Sequence, residues 1–418
     1  MIALGIILLA LLGVPLFAII GLAALTSFYG AEIDSAAIFV ELYRVASNPT
    51  LIAIPLFTFS GFILAHGKTP ERLTRVSQSF FRGLPGGIPL AILMACAFFT
   101  ALTGASGVTI IALGGLLYPL LLKEKYGENF SLGMITSSGS LGLLFPPSLP
   151  LILYGLIAQI SIDKLFIAGI VPGLIMILFV SIFSITRSKR SPEIFNWPAA
   201  KSALIDAGWE LPLPIIILVG IYGGFFTVTE AASVTVVYVI MVETIVYKDL
   251  DIFKDLPKLM KESMVLVGSI LIILGTAMGF TNYLVDEQVP ITILETMQQY
   301  INDPFTFLMV LNVFLLIIGS MMDIFSAIIV VVPLIIPIAQ SFEINMIHLG
   351  IIFLTNLEIG YSTPPVGINL FIAATRFNKP ILKLYQSVMP FLGLRLIGLI
   401  LITYVPSISL FLVDWLSG

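Results

Sequence analysis

Charged residues are scarce in this chain of 418 residues, since only 11% are Asp, Glu, Lys or Arg. The 24 acidic and 20 basic side chains give a net charge of −4, which offers no basic surface for nucleic acid. Hydrophobic residues make up 58% of the chain, and the mean hydropathy is +1.09, far above that of a soluble domain. The composition excludes a soluble globular protein and predicts an integral membrane protein.

Cysteine and histidine are also nearly absent. The single cysteine, Cys96, excludes an intramolecular disulfide framework and a cysteine-rich metal or redox site. The two histidines, His66 and His348, are far apart in the sequence, so a histidine metal site is not expected. The sequence has no His-Glu-x-x-His motif and no Ser/His pair at an exposed break. The chain is therefore predicted not to be an enzyme.

Long apolar runs occur throughout the chain. The first run, 1–27, lacks a basic start and is too long for a signal sequence, so it is predicted to be the first membrane helix. A threading that follows the positive-inside rule places nearly all Lys and Arg residues on the cytoplasmic side. It gives about nine crossings, at 1–27, 50–66, 130–162, 165–186, 209–223, 225–247, 263–285, 346–376 and 384–415. Segments 68–82 and 290–300 are predicted to be short interfacial helices.

Two further apolar runs return to the side from which they enter. The run from about Leu84 to Leu122 has basic flanks at both ends, whereas the run from about Pro304 to Gln340 has acidic or neutral flanks. Each run is interrupted midway by small and polar residues, at 103–107 and 319–323. We therefore predict two re-entrant hairpins of half-length helices, one from each face. Two spanning helices joined by a tight turn would also return to the same side.

A pattern repeats in the two halves of the chain at an offset of 218 residues. Ser138–Pro147 and Asn356–Pro365 each place a Pro-Pro pair and small polar residues inside an apolar run. The hairpins occupy matching places in this repeat and have opposite predicted orientation. Matched helix breaks in inverted repeats are typical of secondary transporters, whose sites lie at the breaks.

The proline pairs predict binding chemistry at the two breaks. Proline has no amide hydrogen and clashes with the carbonyl four residues earlier, so the carbonyls of Gly142, Leu143, Gly360 and Tyr361 are expected to be free. Free carbonyls in a membrane line a cavity or bind a cation. We predict that each hairpin tip and its break enclose one Na⁺. The N-termini of the helices at the tips favour an anion such as a carboxylate.

Four charged residues lie within or at the ends of apolar runs. Asp323 at the second tip is predicted to bind sodium or to stabilise the tip. Glu358 could bind an ion, cap the broken helix or carry a proton. Glu230 is expected to cap a helix start after Thr227. Arg395 is expected to extend along its helix toward the cytoplasmic face.

Four motifs occur in order along the chain: Leu84-Pro85-Gly86-Gly87, Thr103-Gly104-Ala105-Ser106-Gly107, Phe145-Pro146-Pro147-Ser148 and Phe226-Thr227-Val228-Thr229-Glu230-Ala231-Ala232. Together they resemble the large membrane subunit of TRAP transporters, the DctM family, over essentially the whole chain. The resemblance implies an all-α membrane fold of the elevator type, in which a transport domain carrying the hairpins and broken helices moves against a scaffold. It also implies Na⁺-coupled uptake of an organic anion, such as a C4-dicarboxylate or a sialic acid, across the bacterial cytoplasmic (inner) membrane. The implied partners are a small four-helix membrane subunit (DctQ type), on a separate polypeptide, and a periplasmic substrate-binding protein.

Carried over by position, the resemblance assigns residues to three sites. The first sodium site combines Thr103, Ala105, Ser106, Ser138, Gly142 and Phe145. The second combines Ser320, Met321, Asp323, Gly360 and Thr363. The substrate contacts are Ser106, Thr109, Ser140, Pro146, Ser148, Ser326, Glu358 and Ser362. Many family members carry an acidic residue near the first tip, where this chain has Thr109, and this leaves the ligand set and the substrate open.

The predicted domain order follows the repeat. Scaffold helices occupy 1–83, the first repeat core 84–186, scaffold and linking arms 187–303, the second repeat core 304–383 and a C-terminal helix 384–418. Two other functions remain open from the sequence. One is a standalone Na⁺/dicarboxylate symporter, although neither tip has the Ser-Asn-Thr sequence typical of that class. The other is a proton-coupled or channel-like permease, which Asp323 and Glu358 allow.

Overall fold

The computed structural model describes residues 9, 12–81, 83–84, 86–187, 195–301 and 303–417. Within these residues the protein is all-helical, without a β-strand. The helices are α1 Leu16–Gly30, α2 Ala36–Ala46, α3 Ala53–His66, α4 Thr69–Phe81, α5 Gly87–Thr103, α6 Ser106–Lys123, α7 Glu128–Ser138, α8 Leu149–Ala158, α9 Ile162–Thr186, α10 Trp197–Asp206, α11 Leu213–Tyr222, α12 Val228–Met241, α13 Asp255–Asp286, α14 Val289–Gln298, α15 Pro304–Met321, α16 Ile324–Ser341, α17 Met346–Gly360, α18 Ile368–Phe377, α19 Ile381–Tyr404 and α20 Ser407–Ser417.

Eight of the described helices are long and apolar enough to cross a membrane, and the bent pair that contains α7 and α8 makes a ninth candidate span. They include helices at the predicted crossings 50–66, 165–186, 225–247 and 263–285. The predicted interfacial segments 68–82 and 290–300 are the helices α4 and α14. Of the predicted crossing 1–27, residues 1–8, 10 and 11 lie outside the described residues.

The remaining segments differ from the predicted threading in three places. The predicted crossing 209–223 contains only α11, whose 10 residues extend about 15 Å, half of a hydrocarbon core. The predicted crossing 384–415 is divided into α19 and α20, because Pro406 cannot continue the helix that ends at Tyr404. The 28–49 segment, which lies between the first two predicted crossings, contains the helix α2.

Both hairpins are present, but their arms are not half-length. The arms α5, α6, α15 and α16 have 17 or 18 residues and are therefore about 26 Å long. Gly104 ends α5 in the left-handed conformation that glycine adopts without strain, with φ of 67°. Pro85, in the Leu84-Pro85-Gly86-Gly87 motif that precedes α5, lies outside the described residues. The turn at each tip is only two residues long, and Thr103, Ser106 and Ser320 beside these turns are buried. These residues of the tips lie inside the protein, as re-entrant hairpins require, whereas the side chain of Met321 at the second tip is exposed.

The two hairpins enter from opposite ends of the molecule, as their contacts with the two ends of the long helix α19 show. Near the start of α19, Lys383 pairs with Glu128, which lies just after the first hairpin. At the end of α19, the ring of Tyr404 stacks on Phe305 at the start of the second hairpin, with 4.3 Å between ring centroids. These two ends of α19 are about 32 Å apart. The fold is therefore an inverted repeat.

Both Pro-Pro pairs interrupt a helix, as predicted. After α7 the chain forms a short 3₁₀ turn, Leu141–Leu144, and resumes as α8 with a bend of 45°. The second broken helix consists of α17 and α18, separated by residues 361–367. Gly367 precedes α18 with φ of 52°, a conformation that favours glycine. The breaks expose backbone groups inside a molecule that is otherwise packed with apolar side chains.

Candidate functional site

The first hairpin tip packs directly on the first helix break. A Cβ atom added to Gly142 would lie 2.2 Å from the carbonyl oxygen of Ala97 and 2.6 Å from the amide nitrogen of Ala101, both on α5. A Cβ added to Gly139 would lie 3.3 Å from the carbonyl oxygen of Ser106 at the tip. Glycine is therefore required where the break touches the hairpin backbone.

The second tip and the second break meet in the same way. A Cβ atom on Gly360 would lie 2.5 Å from the carbonyl carbon of Gly319. The amide of Gly367 donates to the carbonyl of Ser320 at 2.8 Å, and the amide of Ile324 donates to the hydroxyl oxygen of Tyr361 at 2.5 Å. The matched contacts in both halves bring together the tips and breaks that the sequence assigned to the two sodium sites.

The carbonyls expected to be free each accept one hydrogen bond. Gly142 accepts from the amide of Phe145, and Leu143 accepts from the Ser148 hydroxyl. In the second break, Gly360 accepts from the amide of Thr363 and Tyr361 from that of Asn369, at 2.9 and 3.0 Å. The prediction of unsatisfied carbonyls was therefore wrong. Each carbonyl oxygen retains a second lone pair that a cation can use.

Two buried hydroxyls in the site have no hydrogen-bond partner. They are Oγ1 of Thr103 at the first tip and Oγ of Ser362 in the second break. Other hydroxyls, those of Ser138, Ser320 and Thr363, donate to carbonyls of their own helices and keep lone pairs on oxygen. Both breaks therefore offer neutral oxygen atoms, the ligands suited to a hard cation such as Na⁺. No group of three or more His, Cys, Asp or Glu able to hold a metal occurs in the described part of the chain.

The helix N-termini at the site differ in whether a side chain caps them. Asp323 caps α16 by accepting from the amides of Phe325 and Ser326, both at 3.0 Å, and it also accepts from the Ser326 hydroxyl. Asp323 thus stabilises the second tip and occupies amides that were expected to favour a bound anion. The N-termini of α6, α8 and α18 carry no side-chain cap.

The uncapped N-termini of α6 and α18 lie side by side. The hydroxyl of Ser106, the first residue of α6, donates to Oδ1 of Asn369 on α18 at 2.8 Å. Asn369 is fully buried, and its Nδ2 group has no hydrogen-bond partner. An unused amide donor between two helix N-termini is suited to an anion such as a carboxylate.

All eight candidate substrate residues are buried. Seven of them have polar side chains, namely Ser106, Thr109, Ser140, Ser148, Ser326, Glu358 and Ser362. Pro146 and Phe145 instead line an apolar crevice of about 220 Å³ between the first break, α9 and α11. Its lining residues include Met94, Phe98 and Leu174, which do not suit an anion. Met321, expected at the second sodium site, has an exposed side chain, so only its backbone carbonyl can face an ion.

Glu358 and Arg395 form an ion pair between the two breaks. Nη2 of Arg395 lies 2.7 Å from Oε1 of Glu358, and both side chains are 0% exposed. The expectation that Arg395 extends to the cytoplasmic face was therefore wrong. An acidic and a basic residue that both lie within apolar runs indicate an ion pair, but the sequence analysis considered Glu358 and Arg395 separately. Glu230 caps α12 in a reciprocal capping box with Thr227, as predicted.

Sequence reasoning also missed the side chains of Thr100, Asn369 and Tyr361; of Tyr361 it considered only the backbone carbonyl. The Thr100 hydroxyl contacts the Thr109 hydroxyl at 2.7 Å and donates to the carbonyl of Gly139 at 2.9 Å, so it joins both arms of the first hairpin to the first break. Thr100 lies one helical turn before the tip, and Asn369 lies four residues after a Pro-Pro pair. Because all three are polar residues within apolar segments and close to a tip or a break, the sequence could have indicated them as site residues.

Comparisons with known proteins agree with this geometry. The DctM family model, described as the DctM component of the tripartite ATP-independent periplasmic transporter, matches residues 3–408. The C4-dicarboxylate TRAP transporter large permease protein DctM of Pseudomonas aeruginosa is 37% identical over 90% of this chain and 89% of its own length. The isethionate TRAP transporter permease protein DctMQ of Oleidesulfovibrio alaskensis is 36% identical over 96% of this chain and 64% of its own length. The ectoine TRAP transporter large permease protein TeaC of Halomonas elongata is 30% identical over 97% of this chain and 96% of its own length.

Among solved structures, the YdaH transporter of Alcanivorax borkumensis matches with a TM-score of 0.61. The match covers 88% of this chain and 86% of that chain, at 13% sequence identity, and shows a common fold alone. The family model, by contrast, spans nearly the whole chain, and several relatives exceed 30% identity across it. The chain therefore belongs to the DctM family: it is the large, multi-pass permease subunit of a TRAP transporter and not an enzyme, in a family whose members act with a small membrane subunit and a periplasmic binding protein.

Proposed function

We propose that this subunit carries out Na⁺-coupled uptake of an organic anion across the bacterial cytoplasmic membrane. The observation that carries the proposal is the matched contact of each hairpin tip with its own break, where neutral oxygens surround both junctions. Relatives named for C4-dicarboxylates, isethionate and ectoine support small, charged organic substrates. Two cations beside an anion would make a pocket with compensated charge.

The anion is placed between the N-termini of α6 and α18. The Nδ2 group of Asn369 would donate to a carboxylate or sulfonate oxygen, and the uncapped helix ends would stabilise its charge. The hydroxyl of Ser106 would then rotate between Asn369 and the anion. The hairpins and broken helices would move as one transport domain against the scaffold helices, in an elevator mechanism with the DctQ-type subunit and the binding protein.

Uptake into proteoliposomes tests the coupling directly. The chain would be reconstituted with its small membrane subunit and offered labelled succinate, isethionate or ectoine, with and without an inward Na⁺ gradient and with and without its binding protein. We expect uptake of one of these compounds only when both are present, because the ion sites and the delivering protein act on the same cycle. Uptake with sodium alone would indicate a standalone symporter. Uptake driven only by a proton gradient would overturn the ion assignment.

The unpartnered hydroxyls give a sharper test of the sodium sites. Thr103→Val keeps the shape of the side chain and removes the oxygen, so we expect the half-saturating Na⁺ concentration to rise by about tenfold, the equivalent of one lost ligand worth about 1.4 kcal/mol. The measurement is the Na⁺ dependence of uptake. Thr74→Val is the matched control, because Thr74 also has a buried, unpartnered hydroxyl but lies on α4, away from the breaks. Equal effects of the two variants would contradict a sodium site at the first tip.

A further inference from the structure

The pair formed by Arg395 and Glu358 lies where the two helix breaks approach each other. Glu358 is two residues before the end of α17, and Arg395 is in the middle of α19. Both are fully buried, so the attraction between them is not weakened by solvent. A buried ion pair is seldom the most stabilising choice, since apolar residues of similar volume serve stability as well. Stability alone therefore does not explain why an ion pair lies between the two breaks.

The guanidinium group also binds the first break. Nη1 of Arg395 donates to the carbonyl of Ser137 at 3.1 Å, and Nη2 donates to Oγ of Ser140 at 3.1 Å as well as to Glu358. Ser137 is in the last turn of α7, and Ser140 lies between α7 and the 3₁₀ turn. One planar, rigid side chain on α19 thus holds both broken helices at once.

The repeat symmetry places this contact on the axis that relates the two halves. Ser140 and Glu358 occupy equivalent positions, 218 residues apart, and the Ser140 hydroxyl donates to the Glu358 backbone carbonyl at 3.2 Å. Equivalent residues can touch only where the pseudo-two-fold axis passes between them. A displacement of one break is therefore transmitted directly to the other.

We propose that Arg395 is a positioning residue that couples the two breaks, so that Na⁺ at one break raises the affinity for Na⁺ at the other. This inference rests on the proposed sodium sites. Sodium at a break fixes the carbonyls of the residues around it, and Arg395 holds the backbone of the first break and the carboxylate of the second in one fixed arrangement. Ordering one break therefore removes part of the entropic cost of ordering its partner.

The test is a sodium titration that needs no transported substrate. The full chain with its small membrane subunit would be purified in detergent, and its melting temperature measured against NaCl, with KCl keeping the ionic strength constant. The slope of the melting temperature against ln[NaCl] follows the number of Na⁺ ions bound to the folded protein. For the wild type, this number is expected to rise with NaCl as a sigmoidal binding curve with a Hill coefficient of about 2, as for two coupled sites. The double variant Arg395→Met with Glu358→Leu is expected to fold and to give a Hill coefficient of about 1, with a half-saturating concentration at least about fivefold higher.

Two further variants separate coupling from a general structural effect. Ser140→Ala retains the ion pair but removes one of the two groups through which Arg395 holds the first break, together with the direct hydrogen bond from Ser140 to the Glu358 carbonyl. Its Hill coefficient should therefore fall even if the double variant fails to fold. Ser137→Ala is the matched control, since Arg395 uses only the backbone carbonyl of Ser137, whose hydroxyl has no partner. An unchanged Hill coefficient in Ser140→Ala, or a hyperbolic curve for the wild type, would overturn the inference while leaving sodium binding intact. No difference between NaCl and KCl in the wild type would overturn the sodium sites and the coupling together.

Discussion

Substitution of Gly142 or Gly360 by alanine is expected to reduce uptake strongly and to destabilise the protein. The added Cβ atom would overlap backbone atoms of the hairpin arm, at 2.2 Å from the oxygen of Ala97 for Gly142 and 2.5 Å from the carbonyl carbon of Gly319 for Gly360. Backbone cannot rotate away as a side chain can, so tip and break must separate. We expect a loss of about 1–3 kcal/mol in the free energy of unfolding. Uptake should fall by about a hundredfold, the cost of moving binding groups by about 1 Å.

The control substitutions lie in helices where space is open. A Cβ atom on Gly268 in α13 or Gly393 in α19 would meet no atom within 4 Å. Alanine at either position should leave uptake unchanged and stabilise the helix by up to about 1 kcal/mol. Thermal unfolding and uptake assays of the four variants make the comparison. Normal uptake in both Gly142→Ala and Gly360→Ala would mean that close contact of tip and break is not needed for transport.

The sequence predicted only part of these contacts between tips and breaks. Proline chemistry correctly located both breaks, because a missing amide interrupts a helix wherever it occurs. It did not indicate which donors the freed carbonyls would find. The amide of Phe145, just before the first proline pair, and the amide of Asn369, four residues after the second, reach them only through the local geometry of each break. Charge flanks likewise predicted that the hairpins return, but not how long their arms are.

The pairing of Arg395 with Glu358 shows a second limit of sequence reasoning. Hydropathy places a residue at a depth in the membrane, but it does not specify which way a helix is rotated about its axis. From the sequence, the side chain of Arg395 could therefore either extend along its helix to the membrane interface or pair with a residue in the protein interior. In the structure it pairs with a residue in the interior, because Glu358 and the first break are both on the side of α19 that faces the protein.

Removal of the Arg72 side chain is expected to cause the largest loss of stability of any single charge substitution in α4. Nε of Arg72 donates to Glu210 at 2.8 Å, Nη1 to Asp249 at 2.6 Å and Nη2 to Glu243 at 3.2 Å. Glu210 and Glu243 are buried, and the Arg72 side chain is only 11% exposed. Arg72→Met would leave two buried carboxylates without a cation, at a cost of about 3–5 kcal/mol. Chemical unfolding in detergent would measure it.

Arg75 offers a matched control one turn further along the same helix. It pairs with Asp206 at 2.7 Å, but the side chains are 63% and 40% exposed, so Arg75→Met should cost about 0–1 kcal/mol. The difference between the two variants separates the effect of burial from that of helix and residue type. If Arg72→Met costs no more than Arg75→Met, then the buried ion pairs of Arg72 do not contribute more to stability than the exposed pair of Arg75. If the large difference is found, the guanidinium group of Arg72 anchors α4 to Glu210, Glu243 and Asp249. It thereby also holds the start of the first hairpin, which follows α4 in the chain.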